Sequence, residues 1–179
     1  MKQLLVAVLV AACSLSPARA ADSGLFVAGD FGLATYSGVE PAPSPGKFGL
    51  GAGYKFFRYL GVETGLTTFG KSTVQSGGFS AELKARSFFV AALGLVPITP
   101  QWNVFGKLGV TRNHAEASNS LGASLSVTRN SPYYAVGTEY ALNAEWSVRA
   151  QYEGFGKFEN GPGRMKASAA SIGIAYYLN

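Results

Sequence analysis

Apolar and polar residues alternate with a period of two along most of the chain, most clearly in two consecutive segments near its C-terminus. From Tyr134 the even positions read Tyr134, Val136, Thr138, Tyr140 and Leu142, and after a short turn they resume as Trp146, Val148, Ala150 and Tyr152. The odd positions read Tyr133, Ala135, Gly137, Glu139 and Ala141, then Glu145, Ser147, Arg149, Gln151 and Glu153. They are small or charged wherever the even face is greasy, which predicts half-buried strands joined as a hairpin.

The same alternation recurs upstream and downstream. Leu25, Val27, Phe31 and Leu33 oppose Phe26, Ala28, Asp30, Gly32 and Ala34. Phe48, Leu50, Ala52, Tyr54 and Phe56 oppose Lys47, Gly49, Gly51, Gly53 and Lys55, where three glycines leave room for something large opposite. Leu60, Val62, Thr64 and Leu66 oppose Gly61, Glu63, Gly65 and Thr67. The segment 82–96 fits two registers, with either Phe89, Ala91, Leu93 and Leu95 or Phe88, Val90, Ala92 and Val96 facing outward. Trp102, Val104, Leu108 and Val110 oppose Asn103, Phe105, Lys107, Gly109 and Thr111. Finally Ala170, Ile172, Ile174, Tyr176 and Leu178 oppose Ser171, Gly173, Ala175 and Tyr177.

Eight segments of this kind are joined alternately by short turns (57–59, 97–101, 143–144) and by longer polar stretches (37–46, 71–81, 113–130, 156–165). The predicted fold is all-β: an eight-stranded antiparallel up-and-down transmembrane β-barrel with short periplasmic turns and longer outer loops. A soluble barrel of eight strands carries apolar residues inside and charges outside. Here Glu63, Lys107, Glu139 and Arg149 share faces with glycine and alanine, and eight strands leave an interior just wide enough for side chains. The small polar face therefore points inward and the bulky apolar face toward lipid. An open sheet edge in lipid would strand its amides, so the last strand must pair with the first. Phe56, Phe57, Tyr59, Trp102, Tyr140, Trp146 and Tyr176 cluster beside the short turns, where they are expected to form an interfacial aromatic girdle.

Composition agrees with this solvent. Hydrophobic residues make up 47% and charged residues 14% of the 179 positions, against about 25% charged for a soluble domain. Lys2, the apolar run Leu4 to Ala12 and Ala18-Arg19-Ala20 read as a secretory signal peptide over residues 1–20, with one barrel domain over 21–179. Val10-Ala11-Ala12-Cys13 also resembles a lipobox, which would instead make Cys13 a lipidated N-terminus. Cleavage after Ala20 leaves a mature chain with neither disulfide nor thiol chemistry. No run of about 18 apolar residues follows, so no transmembrane helix is expected. The formal charge of +5 falls once Lys2 and Arg19 are removed, and the remaining charges are scattered, so no nucleic-acid patch is read.

The stretches YLGVETGL, PITPQWNVFGKLG, SPYYAVGTEYALNAEWSVRAQYE and SIGIAYYL occur in that order. Together they resemble the N-terminal transmembrane domain of the OmpA family and related small outer-membrane barrels, over essentially the whole mature chain. The resemblance implies an interior salt-bridge cluster at Glu63, Glu139 and Arg149, with Lys107 matching another basic interior position. A further interior lysine of the family has Leu93 nearest to it. No counterpart of the family's peptidoglycan-binding domain is expected, and Leu178 stands where the C-terminal assembly signal carries an aromatic, so recognition by the insertion machinery is expected either to be weaker or to rely on Tyr176 and Tyr177.

Ionised groups in a narrow lumen need partners. The four interior charges form either a static plug or an ion-permeable gate whose pairs exchange. His114, with Glu116 and Ser118 nearby, is the one grouping that suggests a lipid A modifying enzyme, but a loop rarely holds nucleophile, base and orienter within reach. No HExxH, CxxC, P-loop or dinucleotide fingerprint occurs, so neither a cofactor nor a metal nor catalysis is expected. Lys47, Lys84, Arg86, Arg112, Arg129, Arg164 and Lys166 lie toward the outer strand ends. They serve either as solvated charges or as contacts to lipopolysaccharide phosphates. The expected protein is a monomer in outer-membrane lipid with a structural and surface-interaction role through its outer loops.

Overall fold

A computed structural model of the chain describes residues 23–37, 44–76, 79–119, 124–158 and 166–178. The expected signal peptide, Cys13 and Arg164 lie outside these residues. The described residues form eight strands: β1 (Gly24–Ser37), β2 (Gly46–Phe57), β3 (Leu60–Ser76), β4 (Phe79–Pro97), β5 (Trp102–Asn119), β6 (Ser124–Ala141), β7 (Trp146–Lys157) and β8 (Lys166–Leu178). Each pairs antiparallel with its sequence neighbours. β1 also pairs with β8 from Leu25↔Leu178 to Ser37↔Lys166, closing the barrel. Closure leaves no sheet edge in the lipid-facing region, as a bilayer solvent requires.

The outer surface is apolar. Leu25, Val27, Phe31, Leu33, Leu50, Leu66, Val90, Leu108, Val136, Ile172 and Ile174 are all exposed. On β1 this run extends from Leu25 to Leu33, roughly 27 Å along the strand and about 20 Å along the axis at a tilt near 40°. That is close to the roughly 25 Å lipid-facing band of such barrels.

At one end the strands are joined by tight turns whose side chains close them. The Thr99 hydroxyl accepts from the Trp102 amide at 3.0 Å. The Asn143 side chain accepts from the Glu145 and Trp146 amides at 2.9 and 2.6 Å, an Asx turn. The girdle residues stand around this end. Phe56, Tyr59, Trp102 and Trp146 are exposed, while Tyr140 packs edge-on against Trp102 and Tyr176 against Trp146, with ring centroids 5.6 and 4.8 Å apart.

The other end departs from the expected pattern. The stretches 71–81 and 113–130, read from sequence as loops, are mostly strand: β3 and β4 pair out to Ser76↔Phe79, and β5 and β6 out to Ser118↔Ser124. Both faces of these stretches carry mostly small or polar residues, so the alternation that marks a strand disappears although the backbone ladder continues. β3 to β6 therefore rise as a wall above the ends of β2 and β7.

The register of the fourth strand is also settled. Phe89, Ala91, Leu93 and Leu95 are buried inside, and Phe88, Val90, Ala92 and Val96 face outward. Large apolar residues thus enter the lumen, because glycines opposite make space. A Cβ on Gly65 would meet the Phe89 ring at 2.8 Å, one on Gly53 the Phe26 ring at 2.3 Å, and one on Gly137 the Phe105 ring at 2.6 Å.

Candidate functional site

The lumen is filled in layers. Nearest the tight turns lie Phe26, Leu93, Leu95, Phe105, Ala175 and Tyr177. Toward the outer end lies a larger aromatic cluster that includes Tyr36, Phe69, Phe89, Tyr133, Phe155 and Phe158. Two groups of charges lie along the same interior.

The first group gathers all four interior charges expected from the sequence. Glu139 and Arg149 are direct cross-strand partners on β6 and β7. Arg149 donates through Nε to Glu139 at 2.7 Å, through Nη1 to Glu63 at 3.1 Å and through Nη2 to the Tyr177 hydroxyl at 3.1 Å. Lys107 donates to Glu63 at 2.6 Å and to the Gln151 side chain at 3.0 Å. The Tyr177 hydroxyl donates to Glu139 at 2.7 Å. Rings complete the cage, with the Arg149 guanidinium 4.7 Å from the centre of Phe26 and 5.6 Å from that of Phe105. Such placement over a ring face favours a desolvated cation.

Sequence reading missed one member of this group and the whole of the second. Lys55 lies 3.5 Å from Glu139 and 4.1 Å from the centre of the Tyr177 ring. Nearer the outer end, Lys47 bridges Asp30 and Glu153, and the Tyr133 hydroxyl donates to Glu153 at 2.7 Å. Lys47, expected among the outer cations, is instead buried in the lumen. Its place at the start of β2 suggested the surface, but its parity with Gly49, Gly51 and Gly53 carried the inward signal. The same parity marked Lys55, Asp30, Glu153 and Tyr177. Tyr177 is buried and occupied by Glu139 and Arg149, so of the two C-terminal tyrosines only Tyr176 stands toward the membrane interface.

Four acids, Asp30, Glu63, Glu139 and Glu153, thus face four bases, Lys47, Lys55, Lys107 and Arg149. Between the two groups lies a void of about 10 Å³ bordered by Asp30, Glu63, Lys107, Arg149 and Gln151. That is about one water-sized sphere.

Outside the lumen, His114 stands on β5 instead of on a loop. Its Nδ1 lies 2.8 Å from the Thr128 hydroxyl and its Nε2 2.9 Å from Glu116, which also meets Arg86 at 3.3 Å. The His114 hydrogen bond, helped by the charges of His114 and Arg86 and opposed by partial desolvation, holds the Glu116 carboxyl below its ordinary range. Hydroxyl, imidazole and carboxylate are in line, but β5 is paired on both sides here. Its amides are committed to the ladder and form no oxyanion hole.

The chain matches the family model of the outer membrane protein β-barrel domain over residues 5–177. Outer membrane protein A of Serratia marcescens is 30% identical over 159 residues, covering 83% of this chain and 44% of the relative. That of Yersinia pseudotuberculosis is 26% identical over 188 residues, covering 96% and 53%. The chain spans about half the length of the curated relatives it matches. Among solved structures, neisserial surface protein A superposes with a TM-score of 0.72 at 17% identity, covering 88% of this chain and 99% of that one. Ail of Yersinia pestis, solved in complex with the heparin analogue sucrose octasulfate, superposes with a TM-score of 0.66 at 18% identity, covering 88% and 100%. These two likenesses speak to the fold alone. With the family match, the lipid-facing band and the closed eight-strand sheet, the chain belongs to the OmpA-like family of outer-membrane β-barrels.

Proposed function

We propose that this barrel has a structural and surface-interaction role in the outer membrane, with its lumen plugged and its contacts made by the wall that β3 to β6 raise above the lipid. The observation that carries the reading is the wall, stiffened by pairing that is unbroken between β5 and β6 out to Ser118↔Ser124 and resumes after an irregularity between Phe69 and Ser72 to reach Ser76↔Phe79 between β3 and β4. Its exposed flank carries Arg86, Arg112 and Glu116 with half-buried His114, a rigid polar platform instead of a floppy loop. Asn113 ties its base to β7, donating to the Phe155 and Lys157 carbonyls at 2.7 and 3.1 Å. The side chains that meet across the lumen support the plug, with Glu63, Lys107, Glu139 and Arg149 buried in mutual contact and the void beside them sized for about one water. No catalytic residue is assigned, and the chain is read as a monomer exported by residues 1–20.

Ail's complex with a heparin analogue makes a sulfated glycan the first partner class to test here. Arg86→Gln/Arg112→Gln removes the two exposed cations of that flank while leaving Asn113 and the strand pairing in place. The wild-type barrel in phosphatidylcholine nanodiscs should be retained on heparin, and the variant released. Equal retention of both, or of neither, would refute the wall as the contact surface.

The alternative, a narrow gated channel, draws on one feature. Glu63 is shared by Lys107 and Arg149, and Glu139 by Arg149 and Lys55. Bridged carboxylates of this kind are what partner exchange would need.

A further inference from the structure

At the outer end of β7 the barrel wall opens. β6 pairs with β7 only as far as Tyr134↔Gly154, although it continues to Ser124 against β5. β7 bulges between Gly154 and Gly156, and Gly156 adopts a φ of 65°, a conformation that costs glycine little. The two strands diverge around a cleft of about 550 Å³ that reaches across to β8 and the end of β1. This is within the usual size of small-ligand sites.

Arg129, Lys157 and Lys166 line the cleft, Ser37, Asn130 and Ser168 add polar groups, and Tyr134 and Tyr152 form its lipid-side border. Lys157 and Lys166 are direct cross-strand partners. Like charges in that position repel and weaken a strand pair. Several other cations of the barrel meet acids, as Lys47 meets Asp30 and Glu153, Lys107 meets Glu63 and Arg86 meets Glu116. Among the described residues lining this cleft there is no carboxylate. An anion between the two lysines turns their repulsion into attraction, and ammonium groups suit phosphate. The height of the cleft says where that anion comes from: it begins where the exposed rings of Tyr134 and Tyr152 end the lipid-facing band, at the level of the outer-leaflet headgroups.

We propose that this cleft binds a phosphorylated glycolipid of the outer leaflet, with a phosphate between Lys157 and Lys166 and acyl chains running down past Tyr134 and Tyr152. The proposal rests on the outer-membrane barrel reading and deepens its lipid contact from a scatter of surface charges to one site.

The test is native mass spectrometry of the refolded full chain in non-ionic detergent, titrated with bis-phosphorylated lipid A and with the same lipid dephosphorylated. Lys157→Gln/Lys166→Gln should weaken binding of the phosphorylated lipid about tenfold. Lys157→Arg/Lys166→Arg should retain it, and so should Arg86→Gln/Arg112→Gln, which removes the same charge from the wall. Equal weakening by both glutamine pairs, no preference for the phosphorylated lipid, or displacement of the lipid by millimolar inorganic phosphate would each overturn the proposal. Heat-modifiable gel migration is read on every sample, so loss of the barrel itself is distinguished from loss of the site. Ser168→Trp fills the cleft without touching a charge and should give the same loss; full retention by that variant overturns the proposal independently.

Discussion

Replacing Arg149 with methionine keeps a long apolar stem in the lumen but removes the guanidinium that holds β3, β6, β7 and β8 together. Three contacts go at once: those to Glu139 at 2.7 Å, Glu63 at 3.1 Å and the Tyr177 hydroxyl at 3.1 Å. Taking one partner from a buried ion pair costs about 3–5 kcal/mol, chiefly because the other charge stays behind desolvated. Here each carboxylate keeps another cation, Glu63 with Lys107 at 2.6 Å and Glu139 with Lys55 at 3.5 Å. The loss should therefore lie at the low end of that range, about 3 kcal/mol. Urea unfolding in phosphatidylcholine vesicles measures it, with Trp102 and Trp146 in the girdle as fluorescent reporters. Glu139→Gln alone should also destabilise, since Arg149 and Lys55 both lose charge compensation. The double variant should lose less than the two singles summed, by about 1–3 kcal/mol, because neither orphaned partner of the Glu139–Arg149 pair remains. Strict additivity, or a loss below about 1 kcal/mol for Arg149→Met, would mean that water solvates these charges and that the lumen is not dry.

A plugged lumen predicts no single-channel steps from the wild-type barrel in planar bilayers, and steps that change with Glu139→Ala or Arg149→Ala would instead support the gate. Asn113→Ala should cost about 1–3 kcal/mol in the same unfolding assay, because the buried Phe155 carbonyl loses its donor while the Lys157 carbonyl keeps the Ser131 hydroxyl at 2.7 Å, and hydrogen exchange should quicken at the outer end of β7. His114→Ala should move the Glu116 carboxyl back up toward its ordinary range when its titration is followed by NMR. The sign is that of a depressed acid: the contact is fully formed above the ordinary carboxylate range and is lost as pH falls through the lowered value. The same substitution should leave lipid A mass unchanged on expression.

Inside the lipid band the sequence is nearly a drawing of the structure, because two solvents of opposite preference act on alternate residues. That is why the faces of β1, β2, β3, β5, β6, β7 and β8 could be read directly. The fourth strand resisted because Phe89, Leu93 and Leu95 fill the lumen while Phe88, Val90 and Val96 face lipid, so both faces are apolar for different reasons. Above the band small and polar residues occupy both faces of the sequence, and the ladder from Asn113 to Asn119 leaves no periodic trace. Half of the interior charges were named from sequence. Lys55 and Glu153 carried the same parity signal as Lys107 and Glu139, but parity says that a residue points inward and not which partner it meets. The bulge at Gly156 and the cleft beside it depend on where two strands part company, a matter of pairing length that no local pattern records.

The interior pairs also bear on how the chain can enter a membrane. Glu63 comes from β3, Lys107 from β5, Glu139 from β6, Arg149 from β7 and Lys55 from β2, while Asp30 on β1 shares Lys47 on β2 with Glu153 on β7. A partly assembled sheet would carry some of these charges into hydrocarbon with their partners still outside. Their full set of partners is a property of the whole ring, because Lys47 on β2 meets Glu153 on β7 and Arg149 on β7 meets Glu63 on β3. Pairing of the interior charges is thus completed only when the last strand meets the first, which ties the electrostatics of the lumen to closure of the sheet.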